Sequence, residues 1–238
     1  MTAFTGIKIK ENALRIQERI ASAASRVGRS PDEILLLGVT KTKSPNSVLA
    51  AIRAGVTLLG ENYVQEAREK IPEVNAAALS EGHHPSWHLI GHLQNNKAKY
   101  CPSLFSVVET VDNFALAKEL GKAASKEGKS GQRLLVEVNL SGDPARAGIH
   151  PEETLDFCGA LADVPGLKLE GLMGIAAYST DAEEARPAFR QLRSLWEKLS
   201  FENRKTLSMG MSGDFEIAIE EGATLVRIGS AIFGARSA

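Results

Sequence analysis

Apolar residues recur along this chain in two rhythms, one at helical spacing and one in short, nearly unbroken runs. Over 8–27, Leu14, Ile16, Ile20, Ala24 and Val27 fall roughly three to four apart, and Gly28, Arg29, Ser30 and Pro31 end the pattern. An amphipathic opening helix is predicted there. The run over 34–39 is apolar with little alternation, the pattern of a strand buried on both faces in a parallel sheet. Further runs predict strands over 56–59, 87–90, 105–108, 134–138, 167–173, 206–209 and 224–228. Between them, apolar spacings of three and four predict helices over 45–54, 63–78, 113–126, 151–161, 181–199 and 214–221.

Strand–helix alternation implies a parallel sheet, and eight such units point to a closed (β/α)8 TIM barrel with an extra N-terminal helix. A doubly wound open sheet is the alternative, but its GxGxxG signature is absent after the first strand. No low-complexity linker divides the chain, and the Gly- and Pro-containing stretches 81–86 and 127–132 read as surface loops. One domain over residues 1–238 is expected.

Composition narrows the partners. With 28 basic and 29 acidic residues, the net charge of −1 supplies no global field to attract nucleic acid or an anionic membrane. Cys101 and Cys158 are far apart and lack CxxC spacing, which suggests neither a disulfide framework nor a zinc site. No apolar run reaches a membrane span, and Lys8, Lys10, Glu11 and Asn12 interrupt any signal-like start. The expectation is a soluble cytoplasmic protein.

Barrel sites form at the C-terminal ends of strands. Here strand one is followed by Thr40-Lys41-Thr42-Lys43, strand two by Gly60-Glu61-Asn62-Tyr63, strand three by Gly91-His92-Leu93, strand seven by Gly210-Met211-Ser212-Gly213 and strand eight by Gly229-Ser230. Lys41 closes an apolar strand, where an ammonium is costly without a partner or a chemical role. A desolvated lysine becomes a neutral amine that forms a Schiff base with an aldehyde. The plainer reading is that Lys41 opens a solvated loop, as Lys43 is expected to do. The Gly/Ser loops after strands seven and eight suit a phosphate, since backbone N–H groups can approach closely there. Arg227 interrupts the apolar run 225–228 and needs an acceptor. Either a core carboxylate, Glu61 or Glu170, pairs with it, or it faces a bound heteroaromatic ring.

Several other chemistries are disfavoured. His84, His88 and His92 recur every four residues, but Pro85 and the predicted strand break the helix that would align them on a metal. Gly128-Lys129-Ser130 has Ala123 where a P-loop needs glycine, and Gly210-Met211-Ser212-Gly213 lacks the GxSxG spacing.

Five segments, LLLGVTKTK (35–43), GENYVQE (60–66), WHLIGHLQNNK (87–97), GLMGI (171–175) and LSMGMSGDFEIAIEEGATLVRIGSAIFGAR (207–236), together resemble the pyridoxal phosphate homeostasis protein family. The resemblance implies a barrel similar to the N-terminal domain of alanine racemase, with pyridoxal 5'-phosphate (PLP) bound as a Schiff base. By position, Lys41 would carry the Schiff base and Arg227 would face the pyridine nitrogen. Ser212 and the backbone of Met211, Gly229 and Ser230 would hold the phosphate. Asn62 and Met173 would line the ring pocket, with His92 a further candidate. Arg146 stands where the resemblance implies lysine; arginine keeps the charge but does not form a Schiff base under ordinary conditions.

A fixed positive charge at the ring nitrogen disfavours its protonation and weakens the ring as an electron sink. That argues against transamination and is compatible with racemisation or with no turnover. Racemisation needs acid–base groups on both faces of the substrate carbon. In alanine racemase, as the resemblance implies, the second base is a tyrosine from a partner subunit's C-terminal domain, and only 231–238 follow strand eight here. The three tyrosines, Tyr63, Tyr100 and Tyr178, do not establish such a base by position. The expected function is therefore a non-catalytic PLP carrier that buffers the cofactor or supplies it to apo PLP-dependent enzymes, and a monomer. A small PLP-dependent amino-acid racemase is the alternative.

Overall fold

Eight parallel strands close into a barrel in sequence order, each pairing with the next and the last with the first. The computed structural model describes residues 2–143 and 145–234. The strands are β1 (Leu35–Val39), β2 (Leu58–Glu61), β3 (Ser86–Leu89), β4 (Val107–Val111), β5 (Gln132–Val138), β6 (Leu167–Gly174), β7 (Thr206–Ser208) and β8 (Leu225–Ile228). Helices α1 (Thr2–Arg26), α2 (Pro45–Arg53), α3 (Val64–Ser80), α4 (Cys101–Leu104), α5 (Phe114–Lys126), α6 (Thr154–Leu161), α7 (Arg186–Glu197), α8 (Phe215–Glu220) and α9 (Ser230–Phe233) precede, connect and follow them. This is the (β/α)8 TIM barrel that the alternation predicts.

Strand alternation sorts the side chains. On β8, Val226 and Ile228 join the main core shared with the outer helices, while Arg227 between them turns into the barrel. On β3, Trp87 points outward, its Nε1 donating to Asn75 Oδ1 on α3 at 2.8 Å, and His88 points inward to Glu109. Leu35 departs from the predicted fully buried first strand: it is 52% exposed, because β1 begins at the open N-terminal end of the barrel.

The opening helix is longer than the 8–27 predicted and packs against α2, α8 and α9. Asn12 Nδ2 ties it to the Ile232 carbonyl at 3.0 Å, and Arg19 pairs with Glu216. The fourth strand lies at Val107–Val111, not 105–108. Phe105 instead caps α4, a short helix that follows a 3-10 turn over Asn95–Tyr100. The charge at Glu109 ends the apolar run by sequence, yet inside the barrel Glu109 is fully buried and compensated, so the strand continues.

Candidate functional site

A cavity of about 400 Å³ opens at the C-terminal ends of the strands. Lys41, Asn62, Met211, Ser212, Arg227, Gly229 and Ser230 all lie on its wall. The ends of four strands, β1, β2, β7 and β8, with the loops that follow them, thus bring together the residues singled out at that rim. Met173 is not on the wall; it is fully buried with Val107 and Leu135 in the barrel interior. His92 is exposed and also off the wall.

Lys41 occupies the second position of a turn closed by Lys43 N–H donating to Thr40 O at 3.0 Å. The third residue, Thr42, has φ 62°, a left-handed conformation that such turns normally reserve for Gly or Asn. For a β-branched residue this is an outlier worth roughly 1–3 kcal/mol of strain. The turn is held from outside the barrel. Lys70 Nζ on α3 donates to Thr40 O at 2.8 Å, Glu61 Oε1 at 2.9 Å and Glu66 Oε1 at 2.5 Å, which uses all three of its protons. Glu66 Oε1 also accepts the Thr42 N–H at 2.7 Å, and Thr40 Oγ1 donates to Glu61 Oε1 at 2.6 Å. Burial pushes the Glu61 carboxyl above its ordinary value, against the Thr40 and Lys70 hydrogen bonds.

Arg227 is served by a second network, inside the barrel. Its Nη1 donates to Ser208 Oγ at 2.5 Å and its Nη2 to the Gly174 carbonyl at 3.0 Å. Ser208 Oγ donates to Glu109 Oε2 at 2.6 Å, and His88 Nδ1 lies 2.6 Å from Glu109 Oε1. The carboxylate beside Arg227 is therefore Glu109, 3.9 Å away, and neither predicted partner. Glu61 is committed to Thr40 and Lys70, and Glu170 to Arg133. Burial presses the Glu109 carboxyl upward, but His88, the Arg227 charge and the Ser208 hydroxyl outweigh it and hold the group below its ordinary value. Burial pulls the Arg227 guanidinium down, opposed by Glu109, Glu137 and Asp214.

The loops after β7 and β8 form another part of the wall, next to the Lys41 turn because β8 pairs with β1. Gly210, at φ 91°, packs where a Cβ would come within 2.5 Å of Ala218, so the chain can turn tightly into α8. The Met211 N–H donates to Asp214 Oδ1 at 2.6 Å and is thus engaged within the loop. Ala231 N–H reaches Ser212 Oγ at 3.4 Å, joining the two loops. Across the cavity, Asn62 Oδ1 is buried and has no hydrogen-bond partner among the described residues. A buried acceptor in that state favours a ligand donor.

Some wall residues escape a sequence reading. Lys43 is not a solvated loop lysine: its Nζ donates to the Gly234 carbonyl at 3.2 Å, beyond the last turn of α9. Tyr178 lies on the wall yet is 88% exposed. Glu109, His88 and Ser208 support Arg227 from three different strands, and their only sequence signal is polarity inside otherwise apolar runs. Arg146 is exposed and borders a separate cavity of about 180 Å³ with Glu137, Asn139 and Ser141. Burial and the Asp112 charge push the Glu137 carboxyl up to about 7, against the pull of Arg227. Pro144, and the last two residues of the segment 207–236, lie outside the described residues.

Known proteins share this fold. The family described as alanine racemase, N-terminal domain, matches residues 10–237. A pyridoxal phosphate homeostasis protein of Aquifex aeolicus is 39% identical over 229 residues, covering 95% of this chain and 97% of its own. Its counterpart in Escherichia coli K12 is 38% identical, covering 96% and 97%. Among solved structures, PipY of Synechococcus elongatus with PLP bound has a TM-score of 0.75 at 33% identity, over 92% of this chain and 100% of that one. Alanine racemase of Clostridium difficile, at 16% identity and TM-score 0.69 over 96% of this chain and 58% of that one, shares the barrel fold. By family match and by full-length likeness, the chain belongs to the pyridoxal phosphate homeostasis protein family, within the wider group built on the alanine racemase N-terminal domain.

Proposed function

We propose that this protein holds PLP as a Schiff base on Lys41 and buffers it or supplies it to apo PLP-dependent enzymes, without turning over an amino acid. The observation that carries the reading is the single cavity on whose wall Lys41, Asn62, Ser212 and Arg227 meet. When bound, PLP supplies an aldehyde carbon that a lysine amine can hold reversibly. Lys41 Nζ would be the amine that holds it there.

The residues present fit the group. The unpartnered Asn62 Oδ1 offers an acceptor at the cavity wall, and Arg227 offers a fixed guanidinium from the barrel interior. Ser212, with the backbone of Gly229 and Ser230, would take the phosphate, whereas the Met211 N–H is already given to Asp214. Met173 would act from beneath, through packing. Arg227 beside the ring nitrogen would disfavour its protonation and keep the ring a weak electron sink, which would suit retention better than turnover. The proposed carrier is a single-domain cytoplasmic monomer.

Tyr178 keeps the racemase reading in view, since it lies on the same wall. Its 88% exposure is unlike a positioned acid–base group. The test is borohydride reduction of the PLP-loaded protein followed by peptide mapping, beside an assay of D/L interconversion. An adduct on Lys41 that vanishes in Lys41→Ala, with no interconversion, is expected. An adduct on Lys43, or none, overturns the site; robust racemisation abolished by Lys41→Ala overturns the carrier.

A further inference from the structure

We propose that Glu66 and Lys70 on α3 are positioning residues for Lys41, clamping the residues on either side of it so that Thr42 stays left-handed and the Lys41 side chain stays on the cavity wall. The inference rests on the reading of Lys41 as the PLP lysine, and it concerns groups on the outer side of the barrel.

The hydrogen bonds flank Lys41 on both sides. Lys70 Nζ holds the carbonyl before Lys41, at Thr40, and Glu66 Oε1 holds the N–H after it, at Thr42. The two clamp groups are also bonded to each other, one turn apart on the same helix. Lys70 is buried, with 6% of its side chain exposed, and Glu61, fully buried, supplies its second carboxylate. A lysine and two carboxylates placed against one four-residue turn are more than a turn needs, since Lys43 N–H and Thr40 O already close it. What the turn alone does not supply is a reason for threonine to keep φ at 62°. Without the clamp, Thr42 relaxes to negative φ, and the direction in which Lys41 leaves the backbone changes with it. Glycine has no such preference, so it would keep the turn without help.

This makes a rescue experiment possible. Glu66 is 25% exposed, so Glu66→Ala is expected to fold, and Lys70→Met serves as a second variant at the buried end. In PLP titrations followed by absorbance, Glu66→Ala should weaken PLP binding about tenfold, and Thr42→Gly alone should leave it within about twofold. The double variant Glu66→Ala/Thr42→Gly should recover most of the loss, and Thr42→Gly should likewise rescue Lys70→Met. A structural role without positioning predicts simple additivity, and additivity overturns the proposal.

A second readout needs no cofactor. Hydrogen exchange at the Thr42 amide in the cofactor-free protein should speed up at least tenfold in Glu66→Ala while α3 amides remain protected. Unchanged protection at Thr42 overturns the clamp whatever PLP does. Borohydride trapping of the wild type on Lys41, run in parallel, reports on the PLP reading separately, so the two failures are distinguishable.

Discussion

Two buried ionic networks flank the cavity, one inside the barrel under Arg227 and one outside it behind Lys41, and they are built differently. In the inner one, His88, Ser208 and Arg227 surround Glu109, and both of its carboxylate oxygens have partners. In the outer one, Lys70 spends all three protons, but Glu61 Oε2 is buried with no partner among the described residues. The inner network drives Glu109 below its ordinary pKa; in the outer one burial wins and Glu61 is pushed up. A saturated network fixes a charge, here a guanidinium aimed at the cavity. An incompletely satisfied one, bonded to main-chain atoms, fixes a backbone shape instead.

The contrast is open to a direct challenge at Glu109. Glu109→Gln keeps the shape and removes the negative charge, leaving Arg227 without its nearest carboxylate. Stripping one member from a buried pair costs about 3–5 kcal/mol, so urea unfolding of the cofactor-free variant should show a loss of that order. A loss below about 1 kcal/mol would mean that the inner network does not depend on its charge, and the distinction would break at its stronger end.

Sequence rhythm alone carries much of this architecture. Eight short apolar runs specify the barrel because parallel strands buried on both faces read as such runs. Lys41 and Arg227 stand out because one follows the end of such a run and the other interrupts one. The supporting groups do not stand out: Glu109 ends an apolar run and so hides the rest of β4, and its partners lie 21 residues before it and 99 after it. Chain order does not reveal which inward-facing residues meet across a barrel. Depth is hidden for the same reason, which is why Met173 sits beneath the cavity and Tyr178, on a loop with no strand pattern, sits on its wall. The 62° φ of Thr42 leaves no trace in composition at all.

Glu137 sharpens the contrast from the same side of the barrel. It feels the Arg227 charge as Glu109 does, but burial and Asp112 dominate and carry its pKa from 4.5 to about 7. Between those values the unfolded chain has lost this proton while the folded protein keeps it, so the folded state binds more protons and stability falls as pH rises. At about 1.4 kcal/mol per unit, the contribution is on the order of 3 kcal/mol, fully developed above about pH 8 and absent near pH 4. Glu137→Gln should therefore match the wild type at pH 4 and exceed it by about 2–3 kcal/mol at pH 8, as measured by denaturant titration at each pH. A uniform shift at both pH values would mean that burial and Asp112 do not raise the Glu137 pKa, and that the Arg227 charge prevails there as it does at Glu109.

The smallest effect is expected at Glu61, where the two networks differ most. Glu61→Gln keeps an oxygen for Thr40 Oγ1 and Lys70 Nζ, and Lys70 retains Glu66 as its counter-charge. The raised pKa of Glu61 means that its negative charge is already disfavoured by burial, so less is lost with it than at Glu109. The new amide NH2 takes the place of an oxygen that has no partner, which leaves one buried group unsatisfied before and after the change. A loss of about 1–2 kcal/mol follows, in the range of one altered hydrogen bond and well short of a broken buried pair. A loss equal to that of Glu109→Gln would show that the outer network is sustained by charge after all, and Lys41 and Arg227 would then be held by the same physical device.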